Sequence, residues 1–260
     1  MTDSPFADVT KTLKQIRLPA FVQALEHLYE KDAERAVIVA GELARMAQHE
    51  LARRTTNSIE RRIKNAQLVR IQTVDAFDFN YCPSTRKIRN RYLKMIHADH
   101  VKQDVGAVFV GNSGLGKTHL ARALGYAACQ RQHRVLFLPC STLLNRLVTA
   151  EATKDLGREI KKLEAPSLLI IDEVAYVTMS HDEANLFYQV VSRRHDNCRP
   201  TVATTNAPFS EWNQVFHGDA TAHAIIDRLT EKAEIFYLEG KSYRETHRKG
   251  IESAAANDAR

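Results

Sequence analysis

The feature that most restricts the fold is an octapeptide, Gly111-Asn112-Ser113-Gly114-Leu115-Gly116-Lys117-Thr118, which satisfies the pattern G-x-x-x-x-G-K-[ST]. It lies between an apolar run with strand character, 105–110, and a segment with helix character that begins near Gly116. A strand, a glycine-rich turn and a helix in this order make a nest. Consecutive backbone N–H groups converge on phosphate oxygens, and the helix N-terminus adds partial positive charge. In such a nest the cofactor is ATP with Mg²⁺. Lys117 reaches the β- and γ-phosphates, and Thr118 ligates the ion. His119, the next residue, is counted with the cradle in a packing role.

Short apolar runs at 105–110, 135–138, 168–171, 201–204 and 235–238 alternate with helix-like stretches. That alternation predicts an α/β fold with a parallel sheet covered on both faces. The run 168–171 ends in Asp172-Glu173, 55 residues after Lys117. At the end of a strand Asp172 can hold magnesium through water, and Glu173 can polarise an attacking water. The adjacent second acid favours hydrolysis over phosphoryl transfer to a small molecule. After the next run, Asn206 is placed to sense the γ-phosphate, or is simply a turn residue. Arg228, before the last run, and Arg244, after it, are the arginines positioned for a phosphoryl group or for surface ion pairs.

The first third reads differently. Ser4-Pro5 and Pro19 are helix starts, and Leu43, Ala47, Leu51, Ile59, Ile63 and Ala66 form a helical stripe. Residues 35–102 carry 14 basic and 6 acidic side chains, whereas 103–260 is balanced at 19 of each. The net +6 therefore sits in the first part and points to a polyanion partner, or to a solvated helix face. Arg53, Arg54, Arg61, Arg62 and Lys64 are the candidate contacts. Phe77, Phe79 and Tyr81 alternate at period two and predict an extended connector before Cys82-Pro83. The organisation expected is a basic helical domain over 1–75, a linker and connecting helix over 76–103, a nucleotide-binding domain over 104–248 and a disordered tail over 249–260. No apolar run reaches the ~18 residues of a membrane span, and the N-terminus lacks a secretory h-region, so a cytoplasmic protein without membrane partners is expected. The four cysteines show no zinc spacing and are expected to be reduced.

The segments GNSGLGKTHLARAL, LLIIDEVAY, ATTNAPFSEW, AIIDRL and GKSYR occur in order over 104–248, and EHLYEKDAERA, HELARRTTNSIERRIKNAQL and DAFDF precede them. Together they resemble the IstB family, the ATP-binding helper proteins of IS21-type insertion sequences, and beyond it the helicase-loader branch of AAA+ ATPases. The resemblance implies an AAA+ core with a five-stranded sheet in the order 5-1-4-3-2 and a small all-helical domain in front that binds double-stranded DNA. It also implies self-assembly with ATP at subunit interfaces, and a transposase of the same element as partner. It makes Asn206 a sensor-1 residue, Arg228 an arginine finger and Arg244 a sensor-2-like arginine. In the related branch the segment 141–163 touches DNA, which adds Lys154, Arg158, Lys161 and Lys162 as candidates. Ala175 and Thr205 replace the Gly and Ser common in the family. A helicase loader acting on single strands is the alternative function.

Overall fold

The computed structural model describes residues 6–176, 178–216, 218–243 and 246. The expected helix start at Ser4-Pro5, Arg244 and the tail 249–260 lie outside the described residues. The chain divides into two compact units, 1–61 and 62–260.

In the first unit, α1 (Ala7–Gln15), α2 (Pro19–Lys31) and most of α3 (Ala33–Asn65) enclose a small core. Phe6, Val9, Leu13 and Ile16 from the first helix meet Val22 and Leu25 from the second and Ala36, Ala40 and Ala47 from the third. Alanines on α3 allow close approach, and Pro19 at its N-terminal turn starts α2 without sacrificing a hydrogen bond.

The second unit begins with a run of turns, then α4 (Pro83–His97), β1 (Gly106–Gly111) and α5 (Lys117–Gln130). It continues through β2 (Val135–Pro139), α6 (Cys140–Ala152), α7 (Leu156–Glu164), β3 (Leu168–Val174), α8 (His181–Asp196) and β4 (Thr201–Thr205). After a 3-10 turn come α9 (Trp212–Val215), α10 (Asp219–Thr230) and β5 (Ala233–Leu238). The five strands form one parallel sheet in the order β2-β3-β4-β1-β5, the expected order read from the other edge. Alternate residues of each strand serve opposite cores. Ala107, Phe109, Ile170 and Val202 pack with α4 and α5, while Val108, Val110, Ile171 and Ala203 pack with α6, α8 and α10. Two apolar faces on every strand explain why the runs read as continuous rather than alternating.

Two local features set the backbone around the sheet ends and the phosphate loop. Arg194, in the last turn of α8, is fully buried, and burial lowers its pKa to about 9. It donates to the carbonyls of Leu163, Glu164, Pro166 and Pro200 and to Thr201 Oγ1, tying together the turns that feed β3 and β4. The second feature corrects the sequence expectation of an extended connector. Residues 74–82 form successive turns, closed by Phe77 N–H to Val74 O at 3.1 Å and by Asn80 N–H to Asp78 Oδ1 at 2.8 Å. Phe77 and Phe79 meet edge-to-face at 4.7 Å because the turns bring them together, not because a strand aligns them.

Candidate nucleotide site

β1 delivers the chain to Gly111, the loop wraps back, and α5 starts at Lys117. Gly114 and Gly116 adopt left-handed conformations, φ +80° and +86°. A Cβ on Gly116 would fall 2.5 Å from Phe77 Cε2, so the turn-rich connector seats directly on the loop. Lys117 is almost buried, and its ammonium donates to the carbonyls of Gly111 at 2.6 Å and Asn112 at 2.8 Å. Those bonds hold it inside the loop, at the height where phosphates would sit.

Asp172 lies in the last three residues of β3 and is 7% exposed. Its Oδ1 accepts from Thr118 Oγ1 at 2.9 Å and from Thr204 Oγ1 at 2.6 Å. Thr204 in turn accepts the Glu173 N–H at 2.9 Å. β3 is irregular here: its pairing with β4 shifts between Ile171 and Val174, and Glu173 and Ala175 have φ of +60° and +66°. A non-glycine residue in this region costs ~1–2 kcal/mol. The kink turns Glu173 out of the alternation that buries its neighbours, and its side chain lines the cavity. A hydroxyl and a carboxylate on adjacent elements are hard oxygen donors, which suits Mg²⁺ with water completing its shell.

These groups border a cavity of about 400 Å³. Ser113, Gly114, Leu115, Gly116, Lys117, Thr118 and His119 line one side, Glu173, Thr204 and Asn206 another. Gly111 and Asn112 stand behind Lys117, and Asp172 behind Thr118. His119 donates from Nε2 to Thr73 O at 2.9 Å and meets Phe77 edge-on, so it pins the connector as well as bordering the cavity. Thr205 bonds both N–H and C=O of Ala207, fixing the turn that presents exposed Asn206. Trp212 is fully buried and donates to Ala207 O at 3.2 Å, anchoring the same loop. Thr204, Phe77 and the Tyr81–Tyr243 pair, whose rings lie 4.8 Å apart beside the cavity, were not singled out as site residues from the sequence. Thr204 carried no distinguishing signal, because its strand, Thr-Val-Ala-Thr-Thr, holds three threonines in five residues.

Arg228 does not join this group. It is half-buried in a recess lined by Gly106 and Thr201, the first residues of β1 and β4, at the end of the sheet away from the loop. The basic candidates are also unequal. Arg53 and Arg54 share the Glu50 carboxylate at 2.9 and 2.7 Å, and their hydrogen bonds hold Glu50 down to about 2. Arg54 also donates to Ile16 O at 2.6 Å. Arg61 and Lys64 are exposed, whereas Arg62 is half-buried with Nε unpartnered. Lys154 and Lys161 are exposed, Arg158 lies 3.9 Å from Asp155, and Lys162 pairs with Glu159 at 2.9 Å.

A parallel sheet in this order, with a phosphate loop after β1, paired acids after β3 and a polar residue after β4, defines a P-loop nucleotide-binding protein of the AAA+ type. The chain aligns with a solved DnaC helicase loader at TM-score 0.57 and 19% identity, covering 64% of this chain and 96% of that one, a likeness of fold. The chain belongs to the family of IstB-like ATP-binding proteins, whose model matches residues 11–250. Among curated relatives, a protein named for ATP binding in insertion sequence IS232 of Bacillus thuringiensis subsp. berliner is 37% identical over 66% of this chain and 67% of its own length. One named likewise for IS21 of Pseudomonas aeruginosa is 31% identical over 89% of this chain and 86% of its own. Among the described residues no helix is long and apolar enough to cross a membrane.

Proposed function

We propose that the protein is an ATPase that assembles on double-stranded DNA in its ATP state, presents that DNA to the transposase of its element, and releases it after hydrolysis. The observation that carries the hydrolytic part is the linked set Thr118, Asp172, Thr204 and Glu173, of which Thr118, Thr204 and Glu173 line one cavity. The loop N–H groups and Lys117 bind and orient the phosphates, and Thr118 with Asp172 would hold Mg²⁺. The ion, when bound, neutralises charge on the β- and γ-oxygens. Glu173 takes a proton from the attacking water, and Asn206 orients that water against the γ-phosphate. Arg228 acts on a nucleotide held by a neighbouring subunit, and Arg244, which lies outside the described residues, serves as the sensor-2-like arginine that the family resemblance implies.

The DNA-binding part rests on charge and family. The basic excess lies in residues 35–102, and the relatives are named for insertion sequences. On this reading residues 1–75 bind DNA, 76–103 connect, and 104–248 form the ATPase. Lysines and arginines that mainly touch phosphates position a protein without reading bases, so low sequence preference follows. Sedimentation with duplex or single-stranded DNA of equal length, each with ATP, with ADP or without nucleotide, tests it. Large complexes only on duplex with ATP are expected. Assembly on single strands would favour a helicase loader, and assembly on neither would leave the basic helices as a protein-docking surface.

A further inference from the structure

Arg228 sits in the last turn of α10, and its surroundings differ from those of the cations beside it. Lys232 pairs with Asp104 at 3.1 Å, and Arg199 donates to Ala165 O at 3.1 Å. Among the described residues, Arg228 has no carboxylate at ion-pair distance. Its guanidinium instead meets an imidazole nitrogen, His195 Nδ1, 3.3 Å from Nη1. An arginine held by a carboxylate has spent much of its field, whereas one held by an imidazole lone pair keeps its charge for an incoming anion.

Arg228 and Asp196 compete for Nδ1 at the same distance, 3.3 Å, and require opposite tautomers. A guanidinium has no lone pair, so with Arg228 as its partner Nδ1 accepts and the ring proton resides on Nε2. Glu231 Oε2 stands 2.8 Å from Nε2, without the alignment of a hydrogen bond, and its charge favours the proton there. Asp196 Oδ1 also lies 3.3 Å from Nδ1 and would need the proton there, but Glu231 is the nearer carboxylate and stands at Nε2, which leaves Nδ1 to Arg228. The ring itself is firmly placed. His195 is 14% exposed in its side chain, and the preceding residue is Arg194, locked by its carbonyl bonds.

Arg228 also cannot serve its own nucleotide. The recess opens beside Gly106, while the phosphate loop leaves β1 at Gly111. Five steps of strand span about 16 Å, beyond the reach of an extended arginine side chain.

We infer that His195 is a positioning residue that holds the Arg228 guanidinium, by its Nδ1 lone pair, ready for the γ-phosphate of a nucleotide bound to a second copy of this chain. This rests on the proposed reading of Arg228 as acting between subunits, and the test separates the two. Steady-state ATP turnover of the full-length protein on duplex DNA is measured for His195→Ala, His195→Asn, Arg228→Ala and the His195→Ala/Arg228→Ala double variant, with folding followed by thermal melting.

The expected result is a roughly tenfold fall in kcat for His195→Ala with KM and ATP affinity unchanged, and recovery in His195→Asn, whose amide oxygen can accept at the Nδ1 position. The double variant should turn over no more slowly than Arg228→Ala alone. Mixing Arg228→Ala with Lys117→Ala subunits should restore turnover, since each supplies what the other lacks. Wild-type turnover in His195→Ala beside a dead Arg228→Ala would overturn the role of His195 and leave that of Arg228 standing. Full turnover in Arg228→Ala would remove both. An additive loss in the double variant would show His195 acting by another route. Should His195→Ala not fold, His195→Asn against the near-isosteric His195→Leu gives the same reading, because only the former offers an acceptor at the Nδ1 position.

Discussion

Asp172 receives two hydroxyl donors on a single carboxylate oxygen, and Glu173, its neighbour in sequence, is turned by a left-handed backbone into the cavity. Two substitutions separate these roles. Glu173→Gln keeps shape and backbone but cannot take a proton. ATP affinity should stay within about threefold of wild type while kcat falls by a factor of ~100 or more; unchanged turnover would remove the assignment of Glu173 as base. Thr204→Val keeps volume but deletes the 2.6 Å bond to Asp172 and the acceptor of the Glu173 N–H. A hydrogen bond to a charged group contributes ~1.5–3 kcal/mol to stability, so the melting temperature should fall by several degrees, and kcat/KM should fall by roughly 10–100-fold if that bond also holds Asp172 in place for the reaction. Steady-state kinetics beside equilibrium nucleotide binding checks both. Lys117, Thr118 and the Asp172-Glu173 pair were legible because their chemistry is local, one loop and one strand end. Thr204 was not, because its meaning depends on a partner 32 residues away across the β3–β4 pairing.

The strands announced themselves as apolar runs, and each is present with bounds shifted by one to three residues. The connector was misread because Phe77 and Phe79 supplied a period-two pattern that, in the structure, comes from turns packed on His119 and Tyr92. Only tertiary contacts distinguish the two cases. The turn from α4 into β1 offers a further test. His100 is buried there, its Nδ1–H donating to Val105 O at 3.0 Å, and burial lowers its pKa from 6.5 to about 4. Because the folded value lies below the unfolded one, the unfolded chain binds the proton first. The contribution is complete above pH 6.5 and is lost as pH falls towards 4. It amounts to on the order of 3 kcal/mol. His100→Asn keeps a donor for Val105 and removes the titration, so urea unfolding of this variant should show a flatter pH dependence across that window. An identical slope would mean that His100 titrates alike in the folded and the unfolded chain, and would remove its contribution.

For the whole molecule, the uneven charge is the largest long-range signal, and the structure grades its members. Arg61 and Lys64 are exposed, whereas Arg53 and Arg54 are drawn to Glu50 and Arg54 also braces the turn after α1. DNA affinity should fall steeply with salt, with a log–log slope of roughly −0.9 per phosphate neutralised. Replacing Arg61 or Lys64 by Ala should reduce the steepness by about one unit each. Arg54→Ala should act chiefly on stability of the first unit. A salt-independent affinity would remove the electrostatic argument altogether.

The separation of Arg228 from the phosphate loop, at opposite ends of the same five parallel strands, has a consequence for how activity is counted. On the proposed reading each complete hydrolytic centre takes its loop from one protomer and its arginine from the next, a head-to-tail contact. An open row then always holds one fewer working centre than it has members, and its two termini are chemically unlike, one with a nucleotide lacking an arginine and one with an arginine lacking a nucleotide. Such a row has a direction along the DNA, and turnover per protomer should rise with row length towards a plateau.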